Sequence, residues 1–280
     1  MIKRILVLLD PTPATTEADE TAIRFAQAAG VDLTGLAIAD VKARHDATVP
    51  MGIGTSGLAR DAREQAVRDE IREAHESAED FRARCSAQGI IPAVLDLQAE
   101  TVPEILAESF DHDLVLLASG TVPGEMECEE LVFELMDKGS RPVLVVGKGR
   151  GNRTPGTVLA ALDGHPQSWR SLHSFLQLMP PALVKRLVLL SLIANDRDEP
   201  LAHDRLERGL RLAEAYGFTS ETLLLCKGDP AEAIEAVATQ VGADTILLGP
   251  YSKPAIHRLF FGSVTSRLLA QTDLSVFLDH

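Results

Sequence analysis

The chain has 280 residues, which is enough for about two domains of ordinary size. Its residues are 45% hydrophobic but only 4% aromatic, so the cores must be built mainly from Leu, Val, Ile and Ala. The net charge of −14 argues against nucleic acid or an anionic membrane as a partner, and no apolar run is long enough to span a membrane.

The cysteines and the N-terminal residues give no sign of an oxidising compartment. Cys85, Cys128 and Cys226 are far apart, lack the spacing of a zinc site and suggest no disulfide framework. The apolar run at residues 5–9 is interrupted at Asp10, much too early for a signal peptide. We therefore expect a soluble cytoplasmic protein with structural cysteines.

Apolar runs and helical spacing alternate through residues 1–147. The runs predict five strands, and apolar positions three to four residues apart predict helices between them. The predicted strands cover residues 2–9, 31–41, 90–97, 114–118 and 142–146, and the predicted helices cover 16–29, 67–85, 102–110 and 129–136. A loop rich in small residues is expected at 45–57. Strands that alternate with helices predict a parallel sheet covered on both faces.

The same pattern begins again after a polar, glycine-rich stretch at residues 147–156, which we interpret as an interdomain linker. One helix of the second half is predicted to have Asp229 as its N-cap and Pro230 at its first position. The predicted strands of this half cover residues 158–162, 187–193, 222–226, 245–248 and 274–278. The repeat predicts an α/β protein of two tandem domains, 1–147 and 156–280. Each domain is expected to be an open five-stranded, mostly parallel sheet with helices on both faces.

The stretch at residues 243–270 has the features of a phosphate-binding loop. A buried strand leads into Gly249 and a long loop, and Gly262 and Ser263 then begin a helix. Small residues allow the backbone to approach a ligand, and the unpaired N–H groups of a helix's first turn attract an anion. The loop also carries supporting cations, namely Lys253, His257 and Arg258. An ordinary strand–loop–helix connection is the alternative interpretation.

The spacing within this stretch resembles the nucleotide-binding signature of the universal stress protein family. The signature is G-x2-G-x9-G-[ST], usually with a further Ser or Thr two residues later. Its positions are occupied here by Gly249, Ser252, Gly262, Ser263 and Thr265, with Ser252 in place of the second glycine. The resemblance covers nearly the whole chain as a tandem pair of domains, and it implies an adenine nucleotide α-hydrolase-like fold.

The resemblance also implies a ligand and the residues that bind it. The ligand is ATP or a related adenine nucleotide, with or without Mg²⁺, and its site lies in the second half. Asp163, at the end of the first strand of that half, would accept a hydrogen bond from the adenine amino group. Gly249 and Ser252 would approach the ribose and phosphates. The phosphate tail would bind at the start of the following helix, at Gly262, Ser263, Val264 and Thr265.

The corresponding region of the first half carries acids. Alignment of the last helix and strand of each half places Gly262 and Ser263 opposite Glu129 and Glu130. Carboxylates suit the dipole at a helix N-terminus, but they repel an anionic ligand. We therefore predict that the first half binds no nucleotide at the equivalent site.

Three functions remain compatible with the sequence: a regulatory nucleotide-binding protein of the stress response, a nucleotide hydrolase, and a nucleotide-free scaffold. No acidic residue lies between Gly249 and Gly262 and no metal ligands are clustered, so we assign no catalytic or metal-binding residue and expect at most slow ATP hydrolysis. Ser252 favours the scaffold. The resemblance further suggests that the strands at 143–146 and 276–278 pair, which would give an intramolecular pseudo-dimer and hide two sheet edges. Further association of the chain into a homo-oligomer is compatible with the sequence.

Overall fold

A computed structural model of the chain describes residues 1–10, 13–40, 56–122, 126–147, 156–193, 196–226, 229–250, 263–271 and 273–280. Most of the expected linker, at residues 148–155, lies outside these ranges. No helix within the described ranges has the length and apolar character needed to cross a membrane.

The first half forms five parallel strands in the order β3-β2-β1-β4-β7. These strands are β1 (Arg4–Leu9), β2 (Asp32–Ala39), β3 (Ala93–Gln98), β4 (Leu114–Ala118) and β7 (Val143–Val146). A two-stranded antiparallel hairpin, β5 (Thr121–Val122) and β6 (Met126–Glu127), lies between β4 and β7 in the chain. The helices are α1 (Pro13–Ala29), α2 (Ser56–Ala87), α3 (Thr101–Ser109) and α4 (Cys128–Lys138).

The second half repeats this arrangement, with five parallel strands in the order β10-β9-β8-β11-β12. Its strands are β8 (Thr157–Ala161), β9 (Arg186–Ile193), β10 (Ser220–Cys226), β11 (Thr245–Leu248) and β12 (Ser275–Leu278). Its helices are α5 (Pro166–Leu178), α6 (Glu199–Ala215), α7 (Pro230–Val241) and α8 (Ser263–Gln271). The predicted fold class is therefore confirmed in both halves.

The predicted N-terminal cap of α7 is present. Pro230 is the first residue of the helix, and the side chain of Asp229 accepts a hydrogen bond from the backbone N–H of Glu232 at 3.1 Å. The helix ends at Gly242, which has a left-handed backbone with φ of +67°. Local sequence alone predicts where this element begins.

The two sheets join into one sheet of ten strands through β7 and β12. These two strands run antiparallel, with Val276 opposite Val145 and Phe277 opposite Leu144. The strand pairing expected from the sequence is thus present. Gly147, directly after β7, lies so close to the Asp273 carbonyl that a side chain at this position would collide with it.

Hydrophobic side chains cover both faces of the ten-stranded sheet. One cluster contains side chains of α1, α2, α5 and α6, and the other contains side chains of α3, α4, α7 and α8. Leu144 and Phe277 belong to the first cluster, whereas Val145 and Val276 belong to the second. Because both clusters include residues from each half, each hydrophobic layer runs across the joint without a break.

Three details differ from the sequence-based expectations. The long helix α2 begins at Ser56, so Gly57 belongs to the helix and not to the preceding loop, because the residues after it are good helix formers. β3 begins at Ala93 and not at residue 90, since Pro92 has no N–H to donate to the neighbouring strand. The hairpin of β5 and β6 was not predicted, because two-residue strands leave no hydrophobic period to detect.

Candidate functional site

The predicted site lies at the carboxyl ends of β8 and β11. These strands are parallel neighbours, with Thr245 opposite Val158 and Leu247 opposite Ala160. β9 lies on the far side of β8 and β12 on the far side of β11, so the chain turns in opposite directions from the central pair. A crevice forms at such a reversal of strand order, and it is where open α/β sheets bind ligands. At this edge Gly249 directly follows β11, and Asp163 follows β8 after one residue, Leu162.

Asp163 is exposed and its carboxylate is held in place. Its Oδ1 atom accepts hydrogen bonds from the backbone N–H of His165 at 2.9 Å and from Ser168 Oγ at 2.8 Å. Gly164, which follows, has φ of +89°, a conformation that other residues rarely adopt. The carboxylate therefore has a fixed direction and lies where a ligand can reach it.

Gly249 is required by packing against α5. A Cβ atom added at this position would lie 2.6 Å from the backbone N of Ser168 and 2.9 Å from the carbonyl carbon of Gln167. Any larger residue would push the first turn of α5 away from the sheet. The sequence predicted this glycine as a ligand-approach position, and the contact with α5 is a second reason for it that local spacing does not reveal.

The helix expected to bind the phosphate tail is α8, which begins at Ser263. Val264 is half-buried and Thr265 is only 3% exposed. Arg267 connects α8 to the start of α7, because its guanidinium is 3.0 Å from Asp229 Oδ1 and 3.2 Å from Glu232 Oε1. The helix that would bind the phosphates is thus fixed to the start of α7.

Five predicted site residues lie outside the described part of the chain, and their roles stay predictions. They are Ser252, Lys253, His257, Arg258 and Gly262. Among the residues that are described, no group of three or more His, Cys, Asp and Glu side chains is arranged to hold a metal ion.

The equivalent edge of the first half is built differently. After β4 the chain forms the β5–β6 hairpin and enters α4, where the backbone N–H of Cys128 donates to the Gly120 carbonyl at 3.0 Å. Glu129 and Glu130 lie in the first turn of α4, as the alignment predicted. Asp40, which follows β2, is 8% exposed and accepts a hydrogen bond from a backbone N–H of α3. The two carboxylates in the first turn of α4 therefore lie where the second half has Gly262 and Ser263.

Arg205 is a residue that the sequence did not single out. It lies on α6, and its Nη1 atom donates to Ser191 Oγ at 2.7 Å and to the Leu162 carbonyl at 3.2 Å. Leu162 directly precedes Asp163, so the guanidinium lies at the same edge as the predicted site. Helical spacing marks Arg205 only as one of several polar residues on α6, and only the fold brings it to the crevice.

Comparison with known proteins gives two sequence relatives of part of the chain. Stress response protein NhaX of Bacillus subtilis is 37% identical over 54 residues, which are 19% of this chain and 32% of that protein. The Thermus aquaticus protein named universal stress protein in QAH/OAS sulfhydrylase 3′ region is 34% identical over 88 residues, 29% of this chain and 64% of that protein. Both matches span less than two thirds of the relatives' own length.

The same resemblance holds at the level of structure. A crystal structure of a universal stress protein from Archaeoglobus fulgidus has a TM-score of 0.68 and 16% identity, covering 99% of this chain and 95% of that chain. This likeness shows a shared fold. The sequence model of the universal stress protein family matches residues 1–123 and 156–279, which is most of the chain. On this basis the chain belongs to the universal stress protein family.

Proposed function

We propose that this protein is a stress-response regulator that binds ATP or a related adenine nucleotide in its second half. The proposal is carried by one observation. Asp163 and Gly249 leave neighbouring parallel strands at the point where the strand order reverses, and the signature spacing connects Gly249 to the start of α8. Membership of the universal stress protein family supports the same interpretation.

The proposed contacts divide between the two ends of the nucleotide. Asp163, already oriented by His165 and Ser168, accepts a hydrogen bond from the adenine amino group. Gly249 and Ser252 lie against the ribose and phosphates. The phosphate tail accepts hydrogen bonds from the N–H groups at the start of α8, from Gly262 to Thr265, because a helix N-terminus favours an anion. Lys253, His257 and Arg258 add positive charge, and Mg²⁺ accompanies the phosphates where the nucleotide carries it.

The two halves act as separate domains, 1–147 and 156–280, that form an intramolecular pseudo-dimer through β7 and β12. The first domain binds no nucleotide and serves as the structural partner of the second. We place the protein in the cytoplasm. Its net charge of −14 gives it no attraction for nucleic acid or for an anionic membrane.

Calorimetric titration of the full chain with ATP and Mg²⁺ tests this proposal. We expect one binding site per chain, and we expect Gly262→Glu to abolish binding because it places a carboxylate beside the phosphates, as in the first half. Glu129→Gln is the matched control, since it removes a charge at the aligned position of the first half and should leave the affinity for ATP unchanged. Absence of ATP binding by the parent protein would contradict the proposal.

A nucleotide-free scaffold is the second candidate, and two observations favour it. The packing of Gly249 against α5 already explains why this residue is a glycine, and Thr265 is almost fully buried. Ser252 in the signature points the same way. If calorimetry detects no binding of an adenine nucleotide, the scaffold is the remaining candidate. If ATP binds, an assay of phosphate release over hours distinguishes a sensor, which releases none, from a slow hydrolase.

A further inference from the structure

Arg205 differs from the next two arginines of α6. Arg208 Nε is 2.8 Å from Asp204 Oδ2, and Arg211 Nη1 is 3.7 Å from Glu207 Oε2. Both are exposed pairs four residues apart along the helix, the kind that contributes little to stability. Arg205 forms no ion pair with any carboxylate in the described ranges. Its side chain is half-buried and reaches the carboxyl edge of the sheet.

The guanidinium of Arg205 lies along the open side of Gly164. A Cβ atom added at Gly164 would be 2.6 Å from Arg205 Nη2 and 3.0 Å from Nε. The hydrogen bonds to Ser191 and Leu162 use only Nη1. A guanidinium has five N–H donors, and within the described ranges the N–H groups on Nε and Nη2 have no protein acceptor. Because the side chain is only half-buried, these N–H groups are within reach of a ligand at the surface.

Asp163, Gly164 and Arg205 together form what we call the Gly164 corner. Asp163 contributes a fixed acceptor and Arg205 contributes fixed donors, and Gly164 between them has no side chain. Such a corner is complementary to a flat group that carries a donor next to an acceptor. The edge of adenine has this pattern, because its amino group lies between two ring nitrogens that accept hydrogen bonds.

The position of the corner excludes a role in phosphate binding. Arg205 contacts residues of β9 and of the end of β8, whereas Gly249 and α8 follow β11 on the other side of β8. The phosphate tail is expected on the β11 side, at the start of α8. The Gly164 corner therefore lies at the base end of the site.

We propose that Arg205 donates a hydrogen bond to a ring nitrogen of the adenine while Asp163 accepts one from the amino group. This inference rests on the proposed function, and it makes Arg205 a residue that determines specificity for the base. It adds to the site a residue that comes from α6 and lies outside the phosphate-loop signature.

Calorimetry with ATP, 1-deaza-ATP and 7-deaza-ATP tests the contact, since each analogue lacks one of the two acceptors. We expect the parent protein to bind one analogue about tenfold more weakly than ATP, which corresponds to the loss of one hydrogen bond. We expect Arg205→Met to bind ATP about tenfold more weakly and to show no further loss with that analogue. Arg208→Met is the matched control and should behave as the parent protein does.

The outcomes separate a ligand contact from a structural role. A variant that is merely less well folded would still lose affinity on going from ATP to the deaza analogue, so an undiminished loss in Arg205→Met overturns the inference. Arg205→Lys keeps a cation that can hold the Leu162 carbonyl, and it should fold normally and bind ATP with an intermediate affinity. If the parent protein binds no adenine nucleotide, the proposed function itself fails, and this result is distinct from the others.

Discussion

The two halves are alike at the amino edge of the sheet and different at the carboxyl edge. Asp113 Oδ2 accepts a hydrogen bond from the backbone N–H of Arg4 at 3.0 Å, and Asp244 Oδ2 accepts one from the N–H of Thr157 at 3.0 Å. Each aspartate precedes the fourth strand of the parallel sheet in its half and holds the start of the first strand. The same device thus fixes the central pair of strands in both halves.

At the carboxyl edge, the connection after the fourth strand differs between the two halves: it follows β4 in the first half and β11 in the second. The first half has the β5–β6 hairpin and acidic residues in the first turn of α4, whereas the second half has a longer connection that carries the signature. Hydrogen bonds at one edge secure the fold, and residues at the other edge determine what is bound. The two halves show that these edges can vary independently.

The largest effect is expected from a substitution that weakens the pairing of β7 with β12. It tests whether the two halves unfold separately. Phe277 is fully buried, lies opposite Leu144 and packs edge-to-face on Phe175 with ring centroids 5.4 Å apart. Phe277→Ala should lower the free energy of unfolding by about 4 kcal/mol, because it leaves a cavity in a shared hydrophobic layer.

Chemical denaturation monitored by circular dichroism and by the fluorescence of Trp169, the single tryptophan, measures this effect. Circular dichroism reports on both halves and Trp169 on the second, and we expect the two transitions to coincide. A fluorescence transition that precedes the other would show that the halves unfold independently. Leu201→Ala, at a position that is 67% exposed, is the control and should change little.

A buried carboxylate on the first helix distinguishes the first half from the second. Asp19 on α1 is 3% exposed, and its Oδ1 accepts no hydrogen bond from the described residues. Burial raises the pKa of Asp19 to about 7, although Arg84, 3.4 Å from Oδ2, opposes the shift. Counted from the proline that begins each helix, the corresponding residue of α5 is Leu172, which is also fully buried.

The elevated pKa makes the stability of the chain depend on pH. Because the folded state holds this proton more tightly than the unfolded state, stability should fall as the pH rises from about 4 through about 7. Asp19→Asn should remove this dependence and be more stable than the parent protein at pH 8, by on the order of 3 kcal/mol. Urea titrations at pH 5 and pH 8 measure the difference. If the free energy of unfolding of Asp19→Asn changed between pH 5 and pH 8 as much as that of the parent protein, the assignment to Asp19 would be contradicted.

The smallest expected effect concerns the shared aspartates. Asp244 is 6% exposed and also accepts a hydrogen bond from Thr245 Oγ1 at 3.0 Å, whereas Asp113 is only half-buried. Asp244→Ala should therefore cost about 2 kcal/mol and Asp113→Ala about 1 kcal/mol, since partly buried N–H groups lose their acceptor. Thermal or urea unfolding of the two variants shows which substitution lowers the free energy of unfolding more. The reverse order would mean that the two aspartates are not equivalent devices.

The sequence predicts the regular elements well because their signals are local. Apolar runs gave the strands of both halves, and the Asp229–Pro230 pair gave the start of α7. Residues whose role depends on distant partners were missed. Asp113 and Asp244 belong to no motif that the sequence analysis identified, although each holds a strand about ninety to one hundred and ten residues away in sequence.

The same limit applies to the candidate site. The signature spacing identifies Gly249, but the packing of α5 against it depends on the tertiary arrangement. Arg205 has no motif at all, because it reaches the site only through the way α6 lies against β8 and β9. Placement of Asp163 and Gly249 on one edge followed from the parallel repeat, and the structure confirms that placement.

The antiparallel joint between β7 and β12 has a further consequence for how the chain can change. Since all five strands of each sheet are parallel, the joint puts the carboxyl edges of the two halves on opposite margins of the molecule. The carboxylates of α4 are thereby kept away from the phosphate end proposed for the second half. In an assembly of two identical subunits, one substitution would alter both margins at once. A covalent tandem permits one margin to turn acidic while the other keeps the signature that we propose binds an anion.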